Sequence, residues 1–278
     1  MNTSDWTPSI QYKKVAEANR RSYRLSARRY NKTETCLVSR YHQLILENDL
    51  DYILSIMRRD PERRIRALDA CGGSGNVALK LLNRGADVTL CDISPEMISL
   101  FESKCKERTF SHYSTNCNEI GSFLASTKLK FDLIVFSSAL HHIEDYTSVL
   151  KMAAACLNQN GFIYTIFDPI KYDLLTYLIL RIEMILNASV KYPNEACLVA
   201  KKQLSAKLHQ SFDHSLAVEY EYYARSGIDD SSLVNSLKAL GIDIVIHERY
   251  TDARYGFVRH LLSAFKRSTS FKLLLRLP

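Results

Sequence analysis

Long hydrophobic runs are what this chain most plainly lacks. No stretch of about eighteen uninterrupted apolar residues occurs in its 278 positions. None follows the opening Met1-Asn2-Thr3-Ser4-Asp5-Trp6 either, so neither a membrane span nor a signal peptide is read, and the expected location is cytoplasmic. Cys-x-x-Cys pairs are missing too. Cys36, Cys71, Cys91, Cys105, Cys117, Cys156 and Cys197 are odd in number and scattered. That argues against a disulfide framework or a zinc site, so no metal is expected and the thiols are read as small buried apolar groups. No internal repeat or low-complexity tract breaks the chain.

What the chain has is bulk and positive charge. At 46% hydrophobic residues it can fill a sizeable core, as one large domain or one domain with an elaborate cap. A formal charge of +7 and a pI near 9.0 suit an anionic partner, whether nucleic acid, phospholipid head groups or an acidic substrate, without choosing among them.

The informative stretch is 65–98. Ile65 to Ala70 reads as a short apolar strand, Asn76 to Arg84 as an amphipathic helix and Val88 to Cys91 as a second strand ending at Asp92. Between the first strand and the helix lies a glycine turn, Gly72, Gly73 and Gly75. Missing side chains let backbone approach a ligand closely, and the start of the helix presents unpaired N–H groups. Asp92 stands where nucleotide-binding βαβ folds place the acid that binds ribose hydroxyls. A dinucleotide dehydrogenase shares this topology, but its Gly-x-Gly-x-x-Gly spacing is absent.

Leu68-Asp69-Ala70-Cys71-Gly72-Gly73-Ser74-Gly75 resembles the first motif of the class I S-adenosylmethionine-dependent methyltransferases, usually Leu-Asp-x-Gly-x-Gly-x-Gly. Cys71 stands where the first glycine is usual. The resemblance implies S-adenosylmethionine as cofactor, with Asp69 ordering the loop and the methionine end. Gly73 and Gly75 would line its channel beside Cys71 and Gly72, and Asp92 would take the ribose, flanked by Ile93 and Met97. In the family an acid after the third strand reaches the adenine amino group. The matching place here reads Asn116-Cys117-Asn118, so Asn116, whose side chain also accepts hydrogen bonds, is the candidate, with Cys117 beside it.

Elsewhere, Ile10 to Tyr30 reads as a basic helix with Arg20, Arg21, Arg24, Arg28 and Arg29 among Tyr23, Leu25 and Tyr30. A solvated face is preferred there over a nucleic-acid surface. Its tyrosines resemble a lid helix of small-molecule methyltransferases, which makes Tyr30 a cofactor candidate. A second helix is expected over Thr35 to Arg58, ended by the linker Arg58 to Arg64, in which Pro61 disfavours helix at the residue before it. Ser94 caps a helix with Pro95 at its first position. Ser111 to Thr115 reads as a third strand, Phe131 to Phe136 as a buried fourth and Phe162 to Phe167 as a fifth.

Ser137 opens the active-site loop, Ser137-Ser138-Ala139-Leu140-His141-His142, past the carboxyl end of the fourth strand. His141 or His142 is the candidate general base, against the alternative that the histidines brace the loop. The Asn/Asp-Pro-Pro-Tyr signature of many nucleobase and glutamine methyltransferases is absent.

The fold expected is α/β, a doubly wound Rossmann-like seven-stranded sheet with a helical cap. Residues 1–60 form an N-terminal cap, 61–169 the cofactor core, 170–227 a helical insertion, 228–264 the rest of the core and 265–278 a basic amphipathic tail. The insertion, with Tyr172, Tyr177 and Met184, is a substrate roof, a subunit-docking surface or core packing; Tyr220, Tyr222 and Tyr223 follow it. Asp230 is expected to cap a last helix, Ile242 to His247 to form a sixth strand and Tyr255 to Leu262 the seventh. The tail either packs on the sheet or a partner or touches an anionic membrane surface. The function expected is methyl transfer to O, N or C of a small, partly apolar acceptor, with nucleic acid not expected as partner. Beside it stand an RNA methyltransferase using the basic helix and an inactive scaffold of the same fold. The oligomeric state is open.

Overall fold

The computed structural model describes residues 6–57, 63–176, 178–182, 227–253 and 255–277. The apolar run that begins at Phe131 becomes β4 (Phe131–Ser137), six of whose seven residues are buried, as a strand covered on both faces requires. Its neighbours are β1 (Arg66–Ala70) and β5 (Leu157–Pro169), and β2 (Asp87–Asp92) and β3 (Tyr113–Cys117) extend the sheet beyond β1. These five run parallel. On the far side β7 (Ser270–Arg276) pairs antiparallel with both β5 and β6 (Asp243–Tyr250), giving the order β3-β2-β1-β4-β5-β7-β6. The chain winds outward from β1 in one direction and from β4 in the other, so the crevice past the carboxyl ends of β1 and β4 is the switch point where such sheets bind ligands.

Two apolar layers flank the sheet because alternate strand residues point to opposite faces. Leu68, Ala70, Ile134 and Phe136 pack with α6 (Ile120–Ser126), α7 (Tyr146–Ala155) and α8 (Asp230–Lys238). Ala67, Leu133, Val135 and Leu274 pack with α3 (Arg40–Ile56), α4 (Asn76–Asn83) and α5 (Pro95–Glu107). Ser94 caps α5 by accepting the Met97 amide, with Pro95 at the first position. The long first helix, α1 (Ile10–Thr33), is capped by Ser9 accepting the Tyr12 amide and lies across the switch point.

Several expectations are corrected. The seventh strand is not Tyr255 to Leu262: that segment belongs to a helix, α9 (Gly256–Ala264), whose buried residues Val258 and Leu262 stand four apart, one helical turn. β7 instead occupies the supposed amphipathic tail. Phe271, Leu273 and Leu275 join one apolar layer and Leu274 the other, while Lys272 is held by Asp49 at 2.9 Å. A central strand leaves those leucines, at most 1% exposed, nothing to offer a membrane. The helix expected over Thr35 to Arg58 is two, α2 (Thr35–Val38) and α3, divided at Ser39, which is extended. β3 starts two residues later than expected, and Asp229 rather than Asp230 caps α8. Asp230 is buried and takes Arg249 and His247. Of the insertion, 174–176 and 178–182 are helical and Tyr172 packs against the core. Tyr177, Met184, Tyr220, Tyr222 and Tyr223 lie outside the described residues.

Candidate active site

The glycine turn is shaped by backbone angles that side chains resist. Gly73 has φ +53° and Gly75, capping α4, has φ +85°. A Cβ on Gly75 would stand 2.2 Å from the ring of Phe101, so packing as well as conformation demands glycine there. Cys71, standing where the motif usually has glycine, takes the left-handed conformation, φ +57°, at a cost of about 1 kcal/mol. Burial pushes its thiol well above the ordinary range, which favours the uncharged form.

Two carboxylates hold the turn. Asp69, at the end of β1, accepts the Ala78 amide in the first turn of α4 at 2.9 Å; burial pushes its pKa up to about 7. Asp92, at the end of β2, takes the Gly73 amide on Oδ2 at 2.8 Å and the Ser94 amide on Oδ1 at 2.9 Å. Burial pushes it up to about 6, moderated by those two amides. Each oxygen keeps a lone pair for a further donor. Lys104 of α5 donates to the Ser74 carbonyl at 2.8 Å and to Asn31 of α1 at 3.1 Å, tying the turn to the end of the long helix.

Above this floor lies a cavity with an empty volume of about 680 Å³, part of it the open mouth. The floor contributes Cys71, Gly73, Asp92, Ile93 and Met97. α1 roofs it with Tyr12, Val15, Ala16, Asn19, Tyr23 and Tyr30. Tyr30 sits over Gly73, where an added Cβ would meet its hydroxyl at 3.4 Å.

At the β2 and β3 end the wall is Asn118, Glu119 and Ile120. Asn116 and Cys117, the expected pair, pair with Cys91 and Asp92 in the sheet and are not in the wall. Glu119 caps α6 through the Gly121 and Ser122 amides at 2.7 and 2.9 Å and also accepts the Tyr12 hydroxyl. Ser138, not Ser137, lines the main cavity. Ser137 faces a smaller recess with Tyr30, Cys36, Asp69 and Gly72, which Cys71 and Tyr30 separate from the larger one.

The two histidines of the short 3-10 turn Leu140–His142 have different surroundings. His141 is buried, with Nδ1 2.8 Å from Asp168 at the end of β5. Burial pushes its pKa down to about 4 and that of Asp168 up to about 7, so the ring is neutral near pH 7. His142 lines the cavity. Its Nε2 is 2.9 Å from the Tyr23 hydroxyl, and its carbonyl accepts the Asn19 amide at 2.8 Å. The two imidazoles are 4.0 Å apart between centroids, so His141, fixed by Asp168, buttresses His142 from behind.

Charge marks the cavity most sharply. Among the described residues its lining holds three carboxylates, Asp92, Glu119 and Glu144, and no lysine or arginine, although the chain as a whole is basic.

A family model described as a methyltransferase domain matches residues 41–188, just over half of the chain. The chain belongs to this methyltransferase family. Among curated proteins it is similar to the tRNA 5-carboxymethoxyuridine methyltransferase of Escherichia coli (strain K12), 32% identical over 126 residues, 45% of this chain and 47% of that protein. The chain thus matches about half the length of the curated relatives. Among solved structures it is similar to a magnesium protoporphyrin IX methyltransferase from Synechocystis PCC 6803 with bound S-adenosylhomocysteine. The TM-score there is 0.59 at 14% identity, over 95% of this chain and 100% of that one. The N-methyltransferase NodS from Bradyrhizobium japonicum WM9 superposes with TM-score 0.54 at 12% identity, over 94% and 99% of the chains. At these identities the structural likeness concerns the methyltransferase fold, a Rossmann-like seven-stranded sheet with helices on both faces. No helix among the described residues is long and apolar enough to cross a membrane.

Neither the walls at Asn118 and Glu119 nor the roof residues Tyr12, Val15, Ala16 and Asn19 were among the sequence candidates. Asn118 and Glu119 lie two residues past the expected pair because β3 itself runs two residues further. The roof had a readable signal: Tyr12, Asn19, Tyr23 and Tyr30 recur at helical spacing on one face of α1.

Proposed function

We propose that this methyltransferase binds S-adenosylmethionine in the cavity under α1 and passes the methyl group to an O, N or C atom of a compact, partly apolar acceptor group. The observation that carries this reading is the acidic lining, without lysine or arginine among the described residues, which suits a ligand bearing a sulfonium and an ammonium charge. A second one supports it: the Asn19 Oδ1 atom is buried without a partner among the described residues in the wall of the cavity, an acceptor ready for a ligand N–H or O–H. Asp92 has lone pairs free for two ribose hydroxyls, and Glu119 with Asn118 closes the adenine end.

When bound, the sulfonium supplies an already activated methyl group, so alignment is the main task left to the protein. Tyr30 and Ser138 bound the space beside Gly73, and α1 excludes water from above. His142, facing the cavity, receives the proton that the acceptor loses, and its hydrogen bond with Tyr23 fixes the ring. His141 is the buttress: it is buried, committed to Asp168 and out of the cavity wall.

Calorimetric titration with S-adenosylhomocysteine, with NAD as control, tests the cofactor. Micromolar binding, about −8 kcal/mol, is expected, and binding of NAD alone would overturn the reading. His142→Ala should bind the product as the native protein does while transfer of labelled methyl into an acceptor-rich cell extract falls about 10²- to 10⁴-fold. Undiminished transfer would remove the base role from His142.

A further inference from the structure

The net charge of the chain is the net charge of one helix. α1 holds eight lysines and arginines against the single acid Glu17, a net +7. The whole chain, with 37 basic and 30 acidic residues, is also +7, so everything outside α1 balances at 29 of each sign. Of the basic side chains described, Lys13, Lys14, Arg20, Arg21, Arg24 and Lys32 are all exposed. At about 100° per residue they fall within an arc of roughly 120°, away from the arc that roofs the cavity. Arg21 meets Glu17 at 3.0 Å and Arg24 meets Glu96 at 3.6 Å, both at the surface, where such pairs hold little. Lys13 and Lys14 make no ion pair among the described residues.

We propose that the outer face of α1 docks the phosphate backbone of an RNA that carries the methyl-accepting group. This rests on the methyltransferase reading and names the carrier of its acceptor. Length favours a polymer: from Lys13 to Lys32 the stripe runs about 28 Å at 1.5 Å per residue, far beyond one phosphate. A bilayer is disfavoured because an interfacial helix needs an apolar face of its own. The apolar face of α1 is turned inward, with Tyr12 4%, Val15 1% and Ala18 5% exposed. RNA is favoured over other polyanions by the likeness to an enzyme named for a tRNA substrate. The layout also serves transfer. A backbone held on α1 lies about one helix diameter, 10–12 Å, from the cofactor cavity, so a nucleotide turned out around the edge of α1 can present its modified group at His142.

The test measures binding of a fluorescein-labelled tRNA transcript to the full chain across a salt series, beside titration with S-adenosylhomocysteine. The native protein should bind the transcript with an affinity that falls linearly in log–log form as salt rises. Lys13→Gln/Lys14→Gln/Arg20→Gln, three residues outside the cavity wall, should weaken it at least tenfold at about 0.1 M salt and lower the slope by about 3, with product binding unchanged. A native protein that takes up S-adenosylhomocysteine but ignores the transcript overturns the proposal and leaves the cofactor reading standing. So does transcript binding that the triple variant leaves intact, or binding of phosphatidylglycerol vesicles through these lysines in preference to RNA. Silence toward S-adenosylhomocysteine with normal RNA binding overturns the cofactor reading instead.

Discussion

On its floor the cavity is made of strand ends and backbone, whereas its roof is a single helix attached by side chains. Asp69 and Asp92 are continuous with β1 and β2, and three main-chain amides, those of Ala78, Gly73 and Ser94, fix them. α1 is held by side chains: Tyr12, Val15 and Ala18 are buried on its inner face, and its polar ties include Tyr12 to Glu119, Asn19 and Tyr23 to His142, Asn31 to Ser74 and Lys104, and Arg24 to Glu96. Each such bond contributes about 1 kcal/mol. The floor therefore cannot change without disturbing the sheet, while the roof is joined to it through side chains and can change without altering a strand. Damage to the floor should register in stability and affinity together, and damage to the roof in affinity first.

The hardest blow to the floor is Gly75→Val. It forces a branched residue to φ +85° and drives its Cβ to within 2.2 Å of Phe101. Left-handed strain of about 1–2 kcal/mol and overpacking of about 1–3 kcal/mol should together lower the melting temperature by about 10 °C and abolish cofactor binding. An unchanged melting curve would mean that the turn is far softer than its packing implies.

Asp92 should matter less to folding and more to the ligand. Asp92→Ala removes a charge-assisted acceptor and should weaken S-adenosylhomocysteine by about 1.5–3 kcal/mol. The pH dependence has a definite sign. Because burial raises this carboxyl to about 6 in the folded protein, the ionised form costs stability above that pH, and the cost is relieved as pH falls from about 6 toward the ordinary value of 3.8. Ligand hydroxyls need the ionised form, so affinity should fall through the same window, up to about tenfold per pH unit. Calorimetry between pH 5 and pH 8, on native protein and Asp92→Asn, would show a slope in the first and a flat line in the second at this group.

The same division explains what could be read in advance. The floor is local: strand, glycines, helix, strand and acid follow one another within 65–92, and the structure sets them where that order puts them. The roof and the far wall depend on distant encounters. Glu119 became a wall residue through the two-residue shift of β3 and the approach of Tyr12, 107 positions away. β7 was hidden by its place at the end of the chain, where Lys272 and Arg276 among leucines imitate an amphipathic tail. Asp49 on α3, together with Glu248 of β6 at 3.2 Å, makes a partly buried lysine tolerable in that strand. In Tyr255 to Leu262 the four-residue spacing of Val258 and Leu262 is the helical signal that competes with the strand pattern.

The gentlest test strikes the roof at Asn19. Its amide nitrogen ties α1 to the His142 carbonyl at 2.8 Å, and its Oδ1 is buried without a partner among the described residues, so one side chain both latches the lid and offers the ligand an acceptor. Asn19→Ala loses both and should weaken S-adenosylhomocysteine by about 1–2 kcal/mol with the melting temperature hardly moved. Asn19→Asp keeps the acceptor and loses the latch. If the ligand uses Oδ1, the aspartate should retain most of the affinity while product leaves faster, which stopped-flow dissociation would register. Equal losses in the two variants would assign the whole effect to the latch, and a large fall in melting temperature for either would mean that roof and floor fold as one unit.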